Sequence, residues 1–318
     1  MIGLLGLGVS GGLICVVIGL LLPICAPAGA MQDRSSGDFA GRWDLTTIGT
    51  EGFSSAWLEI EGTTAGRTQG RLVWLYGGAE PIHDIVIDDR TVMFHHSATG
   101  EWLTFTARLT DDRLEGIAKG ARSQVRWIGV RAPDLHSSGR SGWEYPRPLM
   151  NGRDLSGWVP RNGSGSQCWR VEKEILFNES PCTDLISELR FDDFQLHVEF
   201  QLRDEGGSGV YLRGRYEVQI GNDAGLTAGP RTTGAIFGQL SPSSSEAKPL
   251  GEWQALDVTI VGRNVTVAVN GRRVISESDI PGITGAALDS HEELPGPIML
   301  QGDHGRIAFR NIVLTPAR

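Results

Sequence analysis

The sequence has few cationic residues and few cysteines, and beyond its first thirty residues it has no long apolar run. Lysine and arginine number 29 against 38 acidic residues, giving a net charge of −9. Because no basic stripe is present to neutralise phosphates, we expect no nucleic-acid partner. Glycine is abundant, with 43 residues, and turn dipeptides are frequent. These features favour an all-β chain of about two domains.

The first 30 residues carry no charged side chain. An apolar run from Leu4 to Leu22 is followed by the small residues Ala28 to Ala30. This pattern predicts a secretory signal peptide, 1–30, and hence a secreted or periplasmic protein. Only the α-amino group supplies positive charge at its start. The alternative is therefore an uncleaved membrane anchor, which would be the protein's only contact with a membrane.

Two of the four cysteines, Cys168 and Cys182, lie outside this segment. An even pair in an exported protein indicates a disulfide more often than a metal site or a nucleophile. The loop that this pair would close is short, and its closure would stabilise the fold by about 3 kcal/mol.

Residues 38–131 contain about eight short strands at regular spacing. This predicts a small up-and-down antiparallel β-barrel, and the opening Gly41 and Trp43 resemble the start of lipocalin-like barrels. His95 and His96 are adjacent on a strand and point to opposite faces, so we predict no shared metal site there.

A segment rich in proline, glycine and serine, 132–148, predicts a linker to a second domain, 149–318. The second domain is strand and turn throughout, enough for a two-sheet sandwich. Its central stretch, 194–220, predicts three strands with one polar face. Such a face suits a polyhydroxylated ligand, although a solvated surface is the alternative. The residues predicted on it are His197, Glu199, Arg213, Glu217 and Gln219.

Eight short motifs of the second domain occur in the order of a known family. They are NGRDLSGW at 151–158, WRVE at 169–172, SGVYLR at 208–213, YEVQ at 216–219, GAIFG at 234–238, GEW at 251–253, VNG at 269–271, and LQGDHG at 300–305 before FRNI at 309–312.

Over Leu149 to Leu314 the chain thus resembles the 3-keto-disaccharide hydrolase domain family. The chain has Gly207 and Gln254 where the family pattern has Asn, and Gly302 is an additional residue. The resemblance implies a concanavalin-like jelly-roll β-sandwich whose concave sheet holds a sugar. It also implies a secreted bacterial hydrolase acting on 3-keto-glycosides, with a carbohydrate as its substrate.

The C2–H of a 3-keto sugar is acidic, because the neighbouring carbonyl delocalises the carbanion. Cleavage then needs a base near C2, a group at the C3 oxygen and a proton donor to the leaving group. The sequence does not separate direct hydrolysis from elimination followed by hydration. The predicted catalytic residues are Glu217, His304, Glu199 and Asp303. The predicted substrate-binding residues are Arg213, Gln219, Gln301, His197 and Trp253.

Each prediction has a simpler alternative. Glu217 could pair with Arg213 at the surface, Glu199 could be solvated, and Asp303 with His304 could form a turn. No motif indicates a cofactor, and a structural Ca²⁺ in loops is left open only by analogy with lectins. The functional alternatives are a non-catalytic, lectin-like envelope protein and a purely structural one. A carboxylate and His304 converging in one pocket would favour the enzyme.

Overall fold

β-strands account for nearly all regular structure in the part of the chain that the structure describes. The computed structural model describes residues 39–49, 54–62, 67–82, 84–98, 100–135, 142–179 and 181–318, which belong to one compact unit. The all-β prediction is confirmed, since the described residues add only the short 3-10 helix η1 (Ser166–Cys168). The predicted signal peptide, 1–30, lies outside the described residues and stays a prediction. No described helix combines the length and the apolar character needed to cross a membrane.

The first nine strands form one antiparallel sheet that curls into a half-barrel. Its order is β4-β3-β2-β1-β9-β8-β7-β6-β5, so the meander closes through β1 and β9, and no ladder joins β4 to β5 among the described residues. The strands are β1 (Gly41–Ile48), β2 (Ser55–Ile60), β3 (Gly70–Trp74), β4 (Tyr76–Ile82), β5 (Val86–Asp88), β6 (Thr91–Ala98), β7 (Glu101–Thr110), β8 (Arg113–Lys119) and β9 (Gln124–Arg131).

Strand β4 is the one strand of this sheet that the sequence analysis does not predict. Its Gly77, Gly78 and Pro81 are typical of turns. Pro81 has no N–H to donate, and it is tolerated because β4 is an edge strand with a ladder partner on one side only. Leu75 precedes β4 with a φ of 57°, a left-handed conformation that bends the chain between β3 and β4.

The remaining strands form two further antiparallel sheets, the predicted jelly-roll sandwich. One has eight strands, in the order β12-β13-β22-β15-β18-β19-β20 with β10 paired to β22, and the other has five, in the order β11-β14-β21-β16-β17. The strands are β10 (Arg147–Pro148), β11 (Trp158–Pro160), β12 (Trp169–Glu172), β13 (Ile175–Asn178), β14 (Leu185–Phe191), β15 (Phe194–Leu202), β16 (Ser208–Leu212), β17 (Tyr216–Ile220), β18 (Gln254–Val261), β19 (Asn264–Val269), β20 (Arg272–Asp279), β21 (Gly296–Leu300) and β22 (Ile307–Pro316).

Alternation along the strands of the eight-stranded sheet places one of its faces in a core that it shares with the five-stranded sheet. On β15 the side chains of Phe194, Leu196, Val198 and Phe200 are all buried, as their period of two requires. Trp57, from the first sheet, belongs to the same hydrophobic cluster. The half-barrel therefore packs on the sandwich through apolar contact, in addition to having a core of its own.

Cys168 and Cys182 form the predicted disulfide, with their Cα atoms 6.2 Å apart. The backbone N–H of Cys182 donates to the carbonyl of Gly302 at 2.7 Å. The disulfide thus joins the segment that leads into β14 to the end of η1, and the hydrogen bond holds the same segment against the loop that follows β21.

The prediction of one polar sheet face shared by all three central strands is wrong. Strand β15 pairs with β18 and β22 in the eight-stranded sheet, whereas β16 and β17 lie in the five-stranded sheet. Alternation defines the two faces of each strand, but it does not define which strands become neighbours. His197 and Glu199 are therefore on a different sheet from Glu217 and Gln219.

Candidate functional site

A cavity of about 290 Å³ opens on the five-stranded sheet. It combines carboxylates, an imidazole, amides and an aromatic hydroxyl with a wall from the first sheet. The residues that line it are Tyr76, Gly77, Asp184, Gly207, Ser208, Tyr211, Glu217, Gln219, Phe237, Gly285, Ala286, Gln301, Asp303 and His304. Five predicted site residues therefore meet in one place. They are Glu217, Gln219, Gln301, Asp303 and His304.

The position of Glu217 is set by the hairpin of β16 and β17. Tyr211 stands directly opposite Glu217 in the ladder, and its hydroxyl lies 2.9 Å from Glu217 Oε2. A Cβ on Gly209, two residues earlier, would lie 2.5 Å from Glu217 Oε1. The Ser-Gly-Val-Tyr motif thus supplies both the space for this carboxyl group and its hydrogen-bond partner.

Burial raises the pKa of Glu217 to about 8. The Tyr211 hydrogen bond and the charge of His304 oppose the rise, while Asp184 and Asp303 add to it. The Tyr211 hydroxyl also lies 3.0 Å from the carbonyl oxygen of Gly285. Tyr211 can donate to Glu217 when the carboxyl group is ionised. When Glu217 is protonated, it can donate to Tyr211 while Tyr211 donates to Gly285, so the contacts accommodate both protonation states.

Asp303 and His304 form a hydrogen-bonded pair through a carboxylate oxygen and Nδ1. This hydrogen bond raises the pKa of His304 above its usual value against the effect of partial burial, and the charge of Glu217 adds to the rise. Burial acts to raise the pKa of Asp303, but the bond from His304 holds it below its usual value. A carboxylate that orients an imidazole and keeps it protonated is a common arrangement in acid–base sites.

Asp184 is the third carboxylate at the cavity, and structural contacts occupy it. Its Oδ2 accepts from Arg161 Nη1 at 3.1 Å, and its Oδ1 accepts from the backbone N–H of Gly302 at 3.1 Å. Burial raises its pKa despite these two partners. The same Arg161 guanidinium donates to the carbonyls of Ala286 and Ala287, so Asp184 and Arg161 brace two walls of the cavity.

Two amides complete the polar lining. Gln301 exposes 9% of its surface and follows β21, where its backbone N–H donates to Gly209 and its carbonyl accepts from Ser208 Oγ. Gln219, on β17, donates to the carbonyl of Ile220 at 3.2 Å. Both amides can bind hydroxyl or carbonyl oxygens of a ligand.

His197 and Glu199 were predicted at this site and lie on the eight-stranded sheet instead. Glu199 accepts from Arg310 Nε and Asn311 Nδ2, both at 2.6 Å, and neither residue lines the cavity. His197 Nδ1 lies 2.7 Å from a carboxylate oxygen of Asp257. These groups form a partly exposed polar network, which agrees with the solvated-face alternative.

Arg213 and Trp253 also lie away from the cavity. Arg213 ends the hairpin strand with a φ of 53°, and its buried guanidinium donates to the Asp192 carbonyl and to the Asp193 carboxylate. Because the left-handed turn redirects the side chain, the strand alternation does not extend to it. Trp253 lies under the guanidinium of Arg310, whose central carbon is 4.1 Å from its ring centroid.

The three departures from the family pattern fall in different places. Gly207 lines the cavity. Gln254 is buried on β18, where it hydrogen-bonds the backbone of Lys248. A Cβ on Gly302 would lie 2.7 Å from the carbonyl of Thr183, so this position has no space for a side chain.

Sequence reasoning missed Tyr76, Asp184 and Tyr211. For Tyr211 a signal was present, because a hairpin that turns at Arg213 and Gly214 places it opposite Glu217. No sequence signal connected Asp184 with the site. Tyr76 lies on the strand that was not predicted.

A larger cavity of about 530 Å³ lies on the first sheet. Apolar side chains such as Ile48 and Ile117 line much of it, together with Glu115, Arg108 and Arg126. It contains no histidine and no second carboxylate, so it lacks the acid–base groups that the smaller cavity combines.

No group of three or more histidine, cysteine, aspartate or glutamate side chains in the described part of the chain is arranged to hold a metal ion. The structural Ca²⁺ that the sequence analysis left open by analogy with lectins stays a prediction.

The model of the 3-keto-alpha-glucoside-1,2-lyase-like domain matches residues 145–315, more than half of the chain and all of the cavity's sandwich residues. The chain belongs to this family. Members of the 3-keto-alpha-glucoside-1,2-lyase-like family are carbohydrate-active domains of the glycosyl-hydrolase type. The match begins after β9, so the first sheet is not part of the family domain.

Several solved structures are similar to about half of this chain. One candidate glycosyl hydrolase of Parabacteroides distasonis has 27% identity and a TM-score of 0.45, covering 53% of this chain and 82% of its own. A second from the same organism has 25% identity and a TM-score of 0.44, covering 54% and 98%. The carbohydrate-binding module CBM66 of Bacillus subtilis has 14% identity and a TM-score of 0.33, covering 52% and 98%. No curated protein matches the chain.

Proposed function

We propose that this protein cleaves 3-keto-glycosides, including 3-keto disaccharides, in the cavity on the five-stranded sheet. The supporting observation is that buried Glu217 and the Asp303–His304 pair line one cavity within the family domain. Family membership accounts for a carbohydrate-active domain of the glycosyl-hydrolase type. The keto substrate and the reaction below are the proposal.

Glu217 is the base in this proposal. As a carboxylate it removes the C2 proton, and its raised pKa makes it a stronger base than an exposed glutamate. The electron pair of the C2–H bond forms a C1–C2 double bond as the bond from C1 to the leaving oxygen breaks. Gln219 and Gln301 are the available amide donors for the C3 oxygen, on which negative charge develops.

His304 is the proton donor to the leaving oxygen. Its side chain is 60% exposed, whereas Glu217 is 4% exposed, so His304 stands where a leaving group can depart into solvent. Water then adds across the double bond: neutral His304 takes a proton from the water as its oxygen bonds to C1, and Glu217 returns its proton to C2, so that both groups regain their starting states. The net reaction is hydrolysis, and the active form of the pair holds one proton, with Glu217 ionised and His304 charged.

The test is a release assay on 3-keto-trehalose and a 3-keto-glucoside beside their unoxidised parents, using wild-type protein and Glu217→Gln. We expect turnover of the keto sugars alone and its loss in the variant. Turnover of the parents at equal rates would contradict the elimination chemistry. Binding of keto sugars without any turnover would replace the enzyme with the lectin-like alternative.

We also propose that the protein is exported. The disulfide between Cys168 and Cys182 suits an oxidising compartment, and the apolar segment 1–30 is typical of a signal peptide. Cell fractionation and N-terminal sequencing test this proposal. A mature chain that starts just after Ala30 is the expected result, and an intact N terminus in the membrane fraction would indicate the anchor instead.

A further inference from the structure

One wall of the cavity comes from outside the family domain. Tyr76 and Gly77 line the cavity, and both belong to the edge strand β4 of the half-barrel. The family match begins at residue 145, so the family domain alone does not supply this wall.

Backbone contacts hold this wall in place. The carbonyl of Leu75 accepts a hydrogen bond from the N–H of Ala286 at 2.7 Å. A Cβ on Gly285 would lie 2.4 Å from the carbonyl oxygen of Gly77. The carbonyl of Gly285 also accepts from the hydroxyl of Tyr211, which is the hydrogen-bond partner of Glu217. Strand β4 therefore packs on the same segment that contacts Tyr211.

A second contact fixes the same strand at the next residue, Gly78. A Cβ on Gly238 would lie 2.2 Å from the Cα of Gly78, so neither position has space for a side chain. Arg231 and Glu80 form an exposed ion pair beside this contact, at 2.7 Å. The two backbones approach closely enough to determine where Tyr76 stands relative to the sandwich.

Tyr76 lines the cavity, carries an aromatic ring and is 48% exposed. The C–H faces of a sugar ring pack well against such a ring, and the cavity's carboxylates and amides suit its hydroxyls. At about 290 Å³ the cavity is at the low end of ligand sites, which span roughly 300–1,000 Å³. This volume suits a small glycoside and does not suit a segment of a polysaccharide.

We propose that Tyr76 is a specificity-determining residue that packs against the second sugar ring of a 3-keto disaccharide, the ring that leaves. The half-barrel thereby adds a leaving-group subsite to the catalytic groups of the sandwich. The inference rests on the proposed function and specifies its substrate class as short glycosides with a sugar as leaving group.

The experiment compares two substrates, 3-keto-trehalose and methyl 3-keto-α-glucoside, which lacks the second ring. Wild-type protein, Tyr76→Ala, Tyr76→Phe and the control Tyr145→Ala are assayed for KM and kcat. Tyr145 is 87% exposed and does not line the cavity. We expect Tyr76→Ala to raise KM for the disaccharide about two- to tenfold, the range for losing one aromatic contact. KM for the methyl glucoside in Tyr76→Ala, and both constants in Tyr145→Ala, should stay at wild-type values. Tyr76→Phe, which keeps the aromatic ring, should raise KM for the disaccharide less than Tyr76→Ala does.

Equal effects of Tyr76→Ala on both substrates, or an effect of Tyr76→Phe as large as that of Tyr76→Ala, would overturn the subsite. If wild-type protein turns over neither substrate, the proposed function fails separately. Dissociation constants for the same two sugars then decide the inference. The inference is supported if Tyr76→Ala binds the disaccharide less tightly than the wild-type protein does and Tyr145→Ala does not. It is overturned if the wild-type protein binds neither sugar.

Discussion

The two sheets of the sandwich carry the same kinds of titratable side chain in opposite environments. On the eight-stranded sheet, Glu199 is partly exposed, and hydrogen bonds from Asn311 and Arg310 outweigh its slight burial and lower its pKa. On the five-stranded sheet, burial raises the pKa of Glu217 to about 8. Each glutamate also has a histidine–aspartate pair nearby, His197 with Asp257 on the same sheet and His304 with Asp303 in the loop that follows β21. Burial and partners therefore separate a candidate site from a solvated surface, and residue type does not.

Removing the two glutamates in turn tests this comparison most directly. Glu217→Gln should lower kcat on a 3-keto-glycoside by about 10²–10⁴-fold, the range for losing a general base. Glu199→Gln should leave kcat unchanged, because its carboxylate serves a surface network. The release assay on the two variants measures both. An equal loss in Glu199→Gln would show that the distinction between the two sheets is mistaken.

Displacing the Glu217 carboxyl group without removing it tests whether its position in the cavity matters. Gly209→Ala puts a Cβ within 2.5 Å of Glu217 Oε1, so the carboxyl group must shift. We expect a loss of about 10- to 100-fold in kcat, since a displacement near 1 Å has effects of that size. The control is Gly229→Ala, where a Cβ would have nothing within 4 Å. Comparable kcat values for the two variants would contradict a role for Glu217's exact placement.

The pH dependence tests the imidazole of the same site. The Asp303 hydrogen bond raises the pKa of His304, so Asp303→Asn should lower it. The kcat/KM profile should be bell-shaped. The limb that reports the loss of the His304 proton should move to lower pH in Asp303→Asn. NMR titration of the His304 ring gives its pKa directly, and Asp257→Asn on the other sheet is the control. An unchanged His304 pKa in Asp303→Asn would refute the coupling.

Asp44 tests whether burial alone makes a carboxylate functional. It is buried on β1 outside the cavity, and burial together with Glu292 raises its pKa to about 9. The unfolded chain releases this proton near pH 4 and the folded chain keeps it until about pH 9. Stability therefore falls as pH rises through this window.

Asp44→Asn should flatten that slope and raise the free energy of unfolding at pH 8 by about 1–3 kcal/mol, with kcat unaffected. Chemical denaturation across pH measures it, with exposed Asp112→Asn as the control. A fall in kcat comparable to that of Glu217→Gln would show that position inside or outside the cavity does not separate the roles of these two buried carboxylates.

The sandwich and five cavity residues could be predicted because strand alternation and short motifs are both visible within a few consecutive residues. Glu217 and Gln219 alternate on one strand, and Gln301, Asp303 and His304 follow another. His197 and Glu199 were misplaced because the neighbours of a strand depend on long-range pairing, which alternation does not encode. Arg213 was misplaced because a left-handed turn redirects its side chain.

Strand β4 of the first sheet also shows a limit of prediction from sequence. Gly77, Gly78 and Pro81 conceal β4 in the sequence, since glycine and proline are typical of turns. In the fold the glycines are needed, because the sandwich backbone approaches Gly78 too closely for any side chain. The residues that look like a turn in the sequence therefore form the strand on which the sandwich packs.

That docking also protects the protein from aggregation. An edge strand presents unpaired backbone groups, on which strands of other molecules can assemble. Here the edge of the half-barrel lies against Gly238 and Gly285, so the contact that completes the cavity also shields part of this edge. A substitution such as Gly238→Ala would open the cavity and uncover the edge together. Loss of activity and loss of solubility would then arise from one structural event.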